Sequence, residues 1–149
     1  MATVYLGLGT NLGDKEANLN DAVSEIEDMI GEVVSMSSFY ESEPWGFISS
    51  NTFLNAAVEV ETDFSPMDLL SAIQDIERYL GREHKSENGV YEDRIIDIDI
   101  LLYDDVIMNT HRLVIPHPLI SEREFVLTPL KEIACDVVHP VLGKTIGEL

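Results

Sequence analysis

The segment that decides the fold is Ile95–Tyr103, IIDIDILLY, where apolar and acidic residues alternate from Ile96 to Ile100. Alternation with a period of two is typical of a β-strand that buries one face. The isoleucines would enter a core, while Asp97 and Asp99 would share the opposite face, about 6–7 Å apart along the strand. Two carboxylates this close repel each other unless solvent or a cation compensates their charge. The pair therefore indicates either a magnesium site or the wet face of an edge strand.

Apolar periodicity and capping residues predict the other elements of the chain. Ser65 is the expected N-cap of a helix, because Pro66 suits the first helical position and Gly81 suits the end. The predicted strands are Thr3–Leu8, Val33–Tyr40, Phe53–Glu61 and Ile95–Tyr103. The first predicted helix follows the glycine-rich turn Gly7–Lys15 and stops at Gly31. The second runs from Pro66 to Gly81, and a third segment, a helix or a turn, runs from Ser121 to Ala134.

This order of strand, helix, strand, strand, helix, strand and a further extension indicates the fold class. It suits an α+β, ferredoxin-like sandwich with a mainly antiparallel sheet. A doubly wound parallel sheet would need a more regular alternation of strands and helices. The 149 residues are enough for one domain, which we expect to span residues 1–149.

Composition excludes several classes of function. The chain has 28 acidic and 9 basic residues and a formal charge of −19, which disfavours binding to nucleic acids or anionic membranes. A single cysteine rules out a disulfide within the chain and fits a reducing compartment. Neither a secretory leader nor a transmembrane run is recognisable. We therefore expect a cytoplasmic protein, and nothing in the sequence demands an oligomer, so we expect a monomer.

Most of the cations lie in the second half of the chain. Arg82 and Arg94 flank the polar loop before the aspartates, and Arg112 and Arg123 bracket His117. Charge alone leaves two interpretations open, a phosphate site or ordinary surface ion pairs. Carboxylates for a metal beside cations for phosphate are typical of phosphoryl transfer, which favours the first interpretation.

The glycine-rich segment Gly7–Gly13 fits neither of the two familiar phosphate-binding loops. It lacks the Lys of a P-loop, and its third glycine comes one residue late for a dinucleotide-binding loop. We interpret it as a tight turn between a strand and a helix. His117 lies between two prolines, and a lone histidine is more often structural than a ligand.

Several segments together carry a resemblance to a known family, and they cover nearly the whole chain in the family's order. They are YLGLGTNLGD (5–14), SSFYESEPWG (37–46), FLNAAVEVET (53–62), IQDIERYLGR (73–82), DRIIDIDILLYDD (93–105) and RLVIPHPLISEREFVLTPL (112–130). In these segments the chain resembles the 6-hydroxymethyl-7,8-dihydropterin pyrophosphokinases of folate biosynthesis. The family's fold is a three-layer α-β-α sandwich of ferredoxin-like type, in agreement with the element order.

The resemblance implies a reaction and a set of site residues. Pyrophosphate would pass from ATP to the hydroxymethyl group of the dihydropterin, with release of AMP. Asp97 and Asp99 would hold two Mg²⁺ ions, and the pterin would lie between two aromatic rings. The implied catalytic residues are Arg82, Arg94, Asp97 and Asp99; the implied ATP site is Gln74, Glu77, Arg82, Arg94, Ile98, Arg112, His117 and Arg123; the implied pterin site is Ser42, Pro44, Trp45, Gly46, Phe53, Asn55 and Phe125.

The chain departs from the family's pattern at one position, and two other functions compete with the pyrophosphokinase interpretation. The family often has a second arginine two positions after Arg82, where this chain has His84, and a neutral imidazole cannot replace a guanidinium. A regulatory module that binds a small ligand on the same sheet would need no metal. A metal-dependent phosphohydrolase would release phosphate from ATP without a pterin.

Overall fold

The architecture is an antiparallel sheet between two helical layers, seen in a computed structural model that describes residues 1–43, 52–81 and 95–149. The fold therefore confirms the expected α+β class and, apart from three short strands at Tyr40–Ser42, Met108–Asn109 and Val114–Ile115, the predicted element order. The elements are β1 (Ala2–Thr10), α1 (Lys15–Met29), β2 (Gly31–Met36), β3 (Tyr40–Ser42), β4 (Phe53–Thr62), α2 (Pro66–Gly81), β5 (Asp97–Tyr103), β6 (Met108–Asn109), β7 (Val114–Ile115) and α3 (Glu124–Ala134), with 3₁₀ turns at Ile120–Glu122 and Ile146–Glu148.

The central strands of the sheet are the two longest ones. The order is β2-β4-β1-β5, and β3 pairs with β4 beyond the end of β2. Every pairing described is antiparallel, and β1 is bonded to β4 on one side and to β5 on the other. β5, which carries the two aspartates, is thus an edge strand of the main sheet.

Each face of the sheet carries its own hydrophobic core. On one face α1 and α2 cover the strands, with fully buried residues such as Leu6, Ile26 and Ile73. On the other face α3 packs over β4, and Tyr5, Leu101 and Leu130 belong to that second core. Burial of apolar side chains on both faces explains why three layers are stable, since it is the main favourable term in folding.

Capping residues set where the two long helices begin. The Ser65 hydroxyl accepts a hydrogen bond from the Asp68 backbone N–H at 3.2 Å, which confirms the predicted cap of α2. At the start of α1 the Asp14 carboxylate accepts from the Ala17 N–H at 3.1 Å. Of the helices in the described ranges, none is both long and apolar enough to cross a bilayer.

Two predicted boundaries are wrong. β1 continues to Thr10, so Gly7 and Gly9 lie in the strand, and the turn comes after them. Both glycines pair with β4 and β5, and these ladder bonds outweigh the low strand preference of glycine. The predicted strand Val33–Tyr40 is broken after Met36, where Ser37 takes over the pairing: its N–H donates to Ala57 O at 2.9 Å and its hydroxyl accepts from the Ala57 N–H at 2.9 Å.

We expect Gly31→Ala to destabilise the protein. A Cβ on Gly31 would lie 2.0 Å from the backbone oxygen of Glu61, and backbone cannot move aside as a flexible side chain can. The cost should reach the upper end of the range of about 1–3 kcal/mol for overpacking, measured by urea denaturation. Gly81→Ala is the matched control, because a Cβ there meets nothing within 4 Å. Equal stability of the two variants would contradict the close approach of β2 to β4.

Candidate active site

A row of four residues crosses the sheet and organises the site. Tyr40 of β3 lies opposite Asn55 of β4, Asn55 lies opposite Gly9 of β1, and Gly9 lies opposite Asp97 of β5. Directly opposed residues of antiparallel strands project from the same face of a sheet. Since glycine has no side chain, a floor of bare backbone at Gly9 lies between Asn55 and Asp97, whose strands are about 10 Å apart, two strand spacings.

The next row along the strands places the second aspartate. Asp99 lies opposite Gly7, which lies opposite Ala57. Asp97 and Asp99 are both half-buried on the α3 face, while the side chain of Ile98 between them is 5% exposed in the core under α1 and α2. The predicted shared face of the two carboxylates is therefore confirmed.

Gly9 was missed as a site residue because its glycine-rich surroundings were interpreted as a turn. A Cβ on Gly9 would lie 3.3 Å from Asn55 Oδ1 and 3.7 Å from Phe53 Cδ1, so both side chains lean over the glycine. Phe53 is two residues before Asn55 on β4 and shares its face. A signal was present in the sequence, since Gly7 and Gly9 are two apart and continue an alternating strand.

Asn55 is held in one orientation by β3. Its side chain is buried, and its Nδ2 donates to the Tyr40 carbonyl at 3.2 Å and to the Ser42 hydroxyl at 2.7 Å. With both amide protons directed at β3, Asn55 presents its oxygen over Gly9. Ser42, predicted to contact the pterin, thus also orients Asn55.

His117 connects the aspartates to a cation. Its backbone N–H donates to Leu101 O at 2.9 Å, and its Nδ1 accepts from the Leu119 N–H at 3.2 Å, which places the proton of the neutral ring on Nε2. Burial lowers the pKa of His117, the positive charge of Arg123 lowers it further, and the negative charge of Asp97 opposes both. These influences place two other predicted residues, Arg123 and Asp97, within electrostatic reach of His117.

Arg123 also contacts an aromatic ring at the start of α3. Its guanidinium carbon lies 5.6 Å from the centroid of the Phe125 ring, a distance suited to a cation–π interaction. The arrangement holds a positive charge and an apolar ring next to each other on the α3 side of the sheet. An anion and a flat apolar group could be bound there side by side.

The predicted nucleotide residues on α2 lie at the outer edge of β5. The Glu77 carboxylate accepts a hydrogen bond from the Ile98 N–H at 2.9 Å, and Gln74 lies one helical turn earlier. Because the Ile98 side chain is in the core, a ligand can meet Ile98 only through its main chain. Arg112 is exposed between β6 and β7.

Lys15 is another residue that sequence reasoning did not assign to the site. It is the only basic residue among residues 1–77. Its ammonium group donates to Thr52 O at 2.9 Å and to Thr52 Oγ1 at 3.2 Å, which fixes the chain just before Phe53. The remaining predicted site residues lie outside the described residues: Pro44, Trp45, Gly46, Arg82 and Arg94.

The donor set of the aspartates fits Mg²⁺. Within the ranges that the structure describes, no group of three or more His, Cys, Asp or Glu side chains could hold a metal. Mg²⁺ does not need such a group, because it commonly binds one or two carboxylates and takes its other ligands from water and substrate phosphates. Gly9, opposite Asp97, has no side chain beside that carboxylate, whereas the space above Gly7, opposite Asp99, is taken by the Leu101 side chain.

Comparison with known proteins identifies the family. A family model described as 7,8-dihydro-6-hydroxymethylpterin-pyrophosphokinase matches residues 5–135. The chain belongs to this family. A relative from Porphyromonas gingivalis is 47% identical over 141 residues, covering 94% of this chain and 95% of the relative. One from Aquifex aeolicus is 40% identical over 148 residues, covering 99% and 90%. Both are named 2-amino-4-hydroxy-6-hydroxymethyldihydropteridine pyrophosphokinase.

Solved structures share the fold at lower identity. Wild-type HPPK-DHPS of Plasmodium falciparum aligns with a TM-score of 0.75 at 17% identity, over 98% of this chain and 43% of the other. The same protein with pteroate gives a TM-score of 0.76 at 16% identity, again over 98% and 43%. This chain therefore spans about two fifths of those longer chains. The resemblance stated from the sequence is confirmed for both family and fold.

The geometry around His117 predicts how its titration responds to substitution. We expect its pKa, followed by NMR of the ring protons, to lie below 6.5. Arg123→Gln should raise the pKa and Asp97→Asn should lower it, because the two charges act in opposite directions. Since the folded-state pKa is depressed, His117 contributes stability above pH 6.5 that is lost as pH falls through the folded pKa. Two variants with the pKa of the wild type would show that neither charge faces the ring.

Proposed function

We propose that this protein catalyses the transfer of pyrophosphate from ATP to the hydroxymethyl group of 6-hydroxymethyl-7,8-dihydropterin, yielding AMP and the pterin diphosphate in folate biosynthesis. Membership of the pyrophosphokinase family supports the reaction. The structural observation that carries the proposal is the row Asn55–Gly9–Asp97, in which a buried amide and a half-buried carboxylate lie on either side of a residue without a side chain.

In this proposal the pterin ring lies on the floor over Gly9. Phe53 would pack against one face of the ring and Phe125 of α3 against the other, since both lie on the same side of the sheet. Asn55 would accept a hydrogen bond from an N–H on the ring edge, through the oxygen that it presents over Gly9. Ser42 would hold Asn55, and Pro44, Trp45 and Gly46 are proposed to read the rest of the polar edge.

The hydroxymethyl group would then point away from Asn55, towards the aspartates. Asp97 and Asp99 would hold Mg²⁺, two ions in our proposal, and bound Mg²⁺ would neutralise phosphate charge and polarise the hydroxyl. The hydroxyl oxygen would bond to the β-phosphorus of ATP as its proton passes to solvent, the bond from that phosphorus to the α–β bridging oxygen would break, and AMP would leave with this oxygen. Through the bound metal, the two carboxylates would hold the phosphate chain of ATP next to the acceptor hydroxyl.

The cations around the aspartates would meet the charge of ATP. Arg123 carries a fixed positive charge, and neutral His117 can donate from Nε2 to a phosphate oxygen. We propose that Arg82 and Arg94 meet the charge as it moves towards AMP. The nucleotide would also contact Gln74, Glu77, Arg112 and the main chain of Ile98, at the outer edge of β5.

We also propose a monomer in the cytoplasm. The net charge of −19 disfavours self-association through repulsion, and the single cysteine, Cys135, fits a reducing compartment.

The proposed function is tested by following AMP. The protein should form AMP from ATP only when Mg²⁺ and 6-hydroxymethyl-7,8-dihydropterin are both present. Absence of AMP with either Mg²⁺ or Mn²⁺ would overturn the proposal. Phosphate release from ATP without pterin would instead support a phosphohydrolase, and ligand binding unchanged by Asp97→Ala would support a regulatory module.

For the metal site we expect Asp97→Asn to lower turnover by a factor of about 10² or more, because the amide is a poor ligand for Mg²⁺ and carries no charge. The measurement is AMP formation at saturating ATP and pterin. Asp105→Asn is the matched control, since Asp105 is exposed just beyond the end of β5. Equal turnover of the two variants would remove Asp97 from the mechanism.

For the floor we expect Gly9→Ala to raise the KM for the dihydropterin by about tenfold or more, the effect of a methyl group placed where the ring should lie. The added carbon would lie between Asn55 Oδ1 and Phe53. The KM for ATP serves as the internal control and should stay within about twofold. A parallel rise of both KM values would indicate general disruption and contradict the position proposed for the pterin.

A further inference from the structure

Glu132 of α3 joins the helix to the start of β3. Its carboxylate accepts a hydrogen bond from the Tyr40 hydroxyl at 2.5 Å and from the Ser38 hydroxyl at 3.2 Å. The Ser38 backbone N–H donates to the same carboxylate, 3.0 Å from each oxygen. One side chain thus holds two residues that are more than 90 positions away in sequence.

The segment that Glu132 holds contains only a short strand, beside the bonds of Ser37 to Ala57 and the packing of Phe39 against the core. β3 has three residues and pairs with the start of β4. So short an edge strand gains little stability from its own ladder, and its position depends on tertiary contacts. The hydrogen bonds from Ser38 and Tyr40 to a charged acceptor are contacts of this kind, and such bonds are stronger than neutral ones.

β3 in turn orients Asn55. The Tyr40 residue that donates to Glu132 through its hydroxyl also accepts from Asn55 Nδ2 through its carbonyl, at 3.2 Å. Ser42, two residues further along β3, accepts from the same nitrogen at 2.7 Å. Tyr40 therefore connects Glu132 to Asn55, because its hydroxyl bonds to one of them and its carbonyl to the other.

The position of Glu132 on α3 relates this connection to the proposed pterin site. Glu132 is seven residues after Phe125, so both project from the same side of the helix after two turns. The helix supplies one wall of the proposed pterin site with Phe125, and β3 orients the opposite end with Asn55. Glu132 therefore joins the two parts that must be spaced correctly for a flat ligand.

We infer that Glu132 is a positioning residue for the pterin: it holds β3 against α3 and thereby sets the orientation of Asn55 relative to Phe125. The inference rests on the proposed function, and it assigns Glu132 no contact with a substrate. The ionisation of the pair agrees with it. The Tyr40 hydrogen bond and the Ser38 backbone N–H lower the pKa of Glu132, and the pKa of Tyr40 is raised mainly by its bond to Glu132. At neutral pH the carboxylate is charged and the phenol is protonated.

The experiment compares ligand affinities of Glu132→Ala with those of Glu27→Ala. Glu27 is a matched control, an exposed glutamate of α1 in the layer on the other side of the sheet. Binding of 6-hydroxymethyl-7,8-dihydropterin is measured with Mg²⁺ and a non-hydrolysable ATP analogue present. We expect Glu132→Ala to weaken it about fivefold, the order of effect of losing a net hydrogen-bond contribution of about 1 kcal/mol at an exposed position. Affinity for the analogue should change by less than about twofold, and Glu27→Ala should alter neither.

Two further variants separate positioning from a general loss of stability. Glu132→Gln keeps one acceptor oxygen and should retain part of the affinity that Glu132→Ala loses. Tyr40→Phe combined with Glu132→Ala should be no worse than Glu132→Ala alone, because the two residues act through the same hydrogen bond. Additive losses in the double variant would overturn the inference.

A spectroscopic measurement tests the link without substrate. The side-chain amide signals of Asn55 should shift in the NMR spectrum of Glu132→Ala and stay unchanged in Glu27→Ala. Unchanged Asn55 signals, or equal losses of pterin and nucleotide affinity, would overturn the inference. Failure of the wild type to form AMP while Asn55 still responds to Glu132 would overturn the proposed function and leave the positional link to Asn55 supported.

Discussion

The antiparallel register of β1 between β4 and β5 is the constraint on which the site depends. It sets Gly9 between Asn55 and Asp97, and it sets Gly7 between Ala57 and Asp99. Because side chains alternate across a strand, a slip of one residue would turn the aspartates into the core and bring the isoleucines to the surface. The same alternation that buries Ile98 therefore exposes its acidic neighbours. The core under α1 and α2 stabilises this register, and the register sets the positions of Asn55, Gly9 and the two aspartates.

The charges near the aspartates are the second feature that shapes the site. In a chain with a charge of −19, His117 is influenced both by the negative charge of Asp97 and by the positive charge of Arg123, so the surroundings of the acidic pair are not purely acidic. Burial keeps the His117 ring neutral, which leaves it as a hydrogen-bond donor with no added charge, while Arg123 supplies the permanent positive charge. A site of this composition suits a ligand that brings both phosphates and a divalent cation. The cation would neutralise the aspartates, and the phosphates would neutralise Arg123.

Much of the fold could be predicted because its signals are local. The cap at Ser65 and the alternation in β5 depend on residues close together in sequence, and the structure confirms them. The end of β1 could not be predicted in this way, since the pairing of Gly7 and Gly9 is decided by two other strands. For the same reason, Gly9 and Lys15 escaped assignment to the site, and Glu132 stood out in no motif.

The sequence by itself determined the fold class, the family and the face shared by Asp97 and Asp99, because periodicity and motif order are properties of the chain as written. Only the tertiary structure decided that Asn55 lies across Gly9 from Asp97, that both amide protons of Asn55 are directed at β3, and that a helix residue far along the chain holds that strand. These relations join residues from distant elements. Because they form only when the sheet assembles and α3 packs against it, no local sequence pattern indicates them.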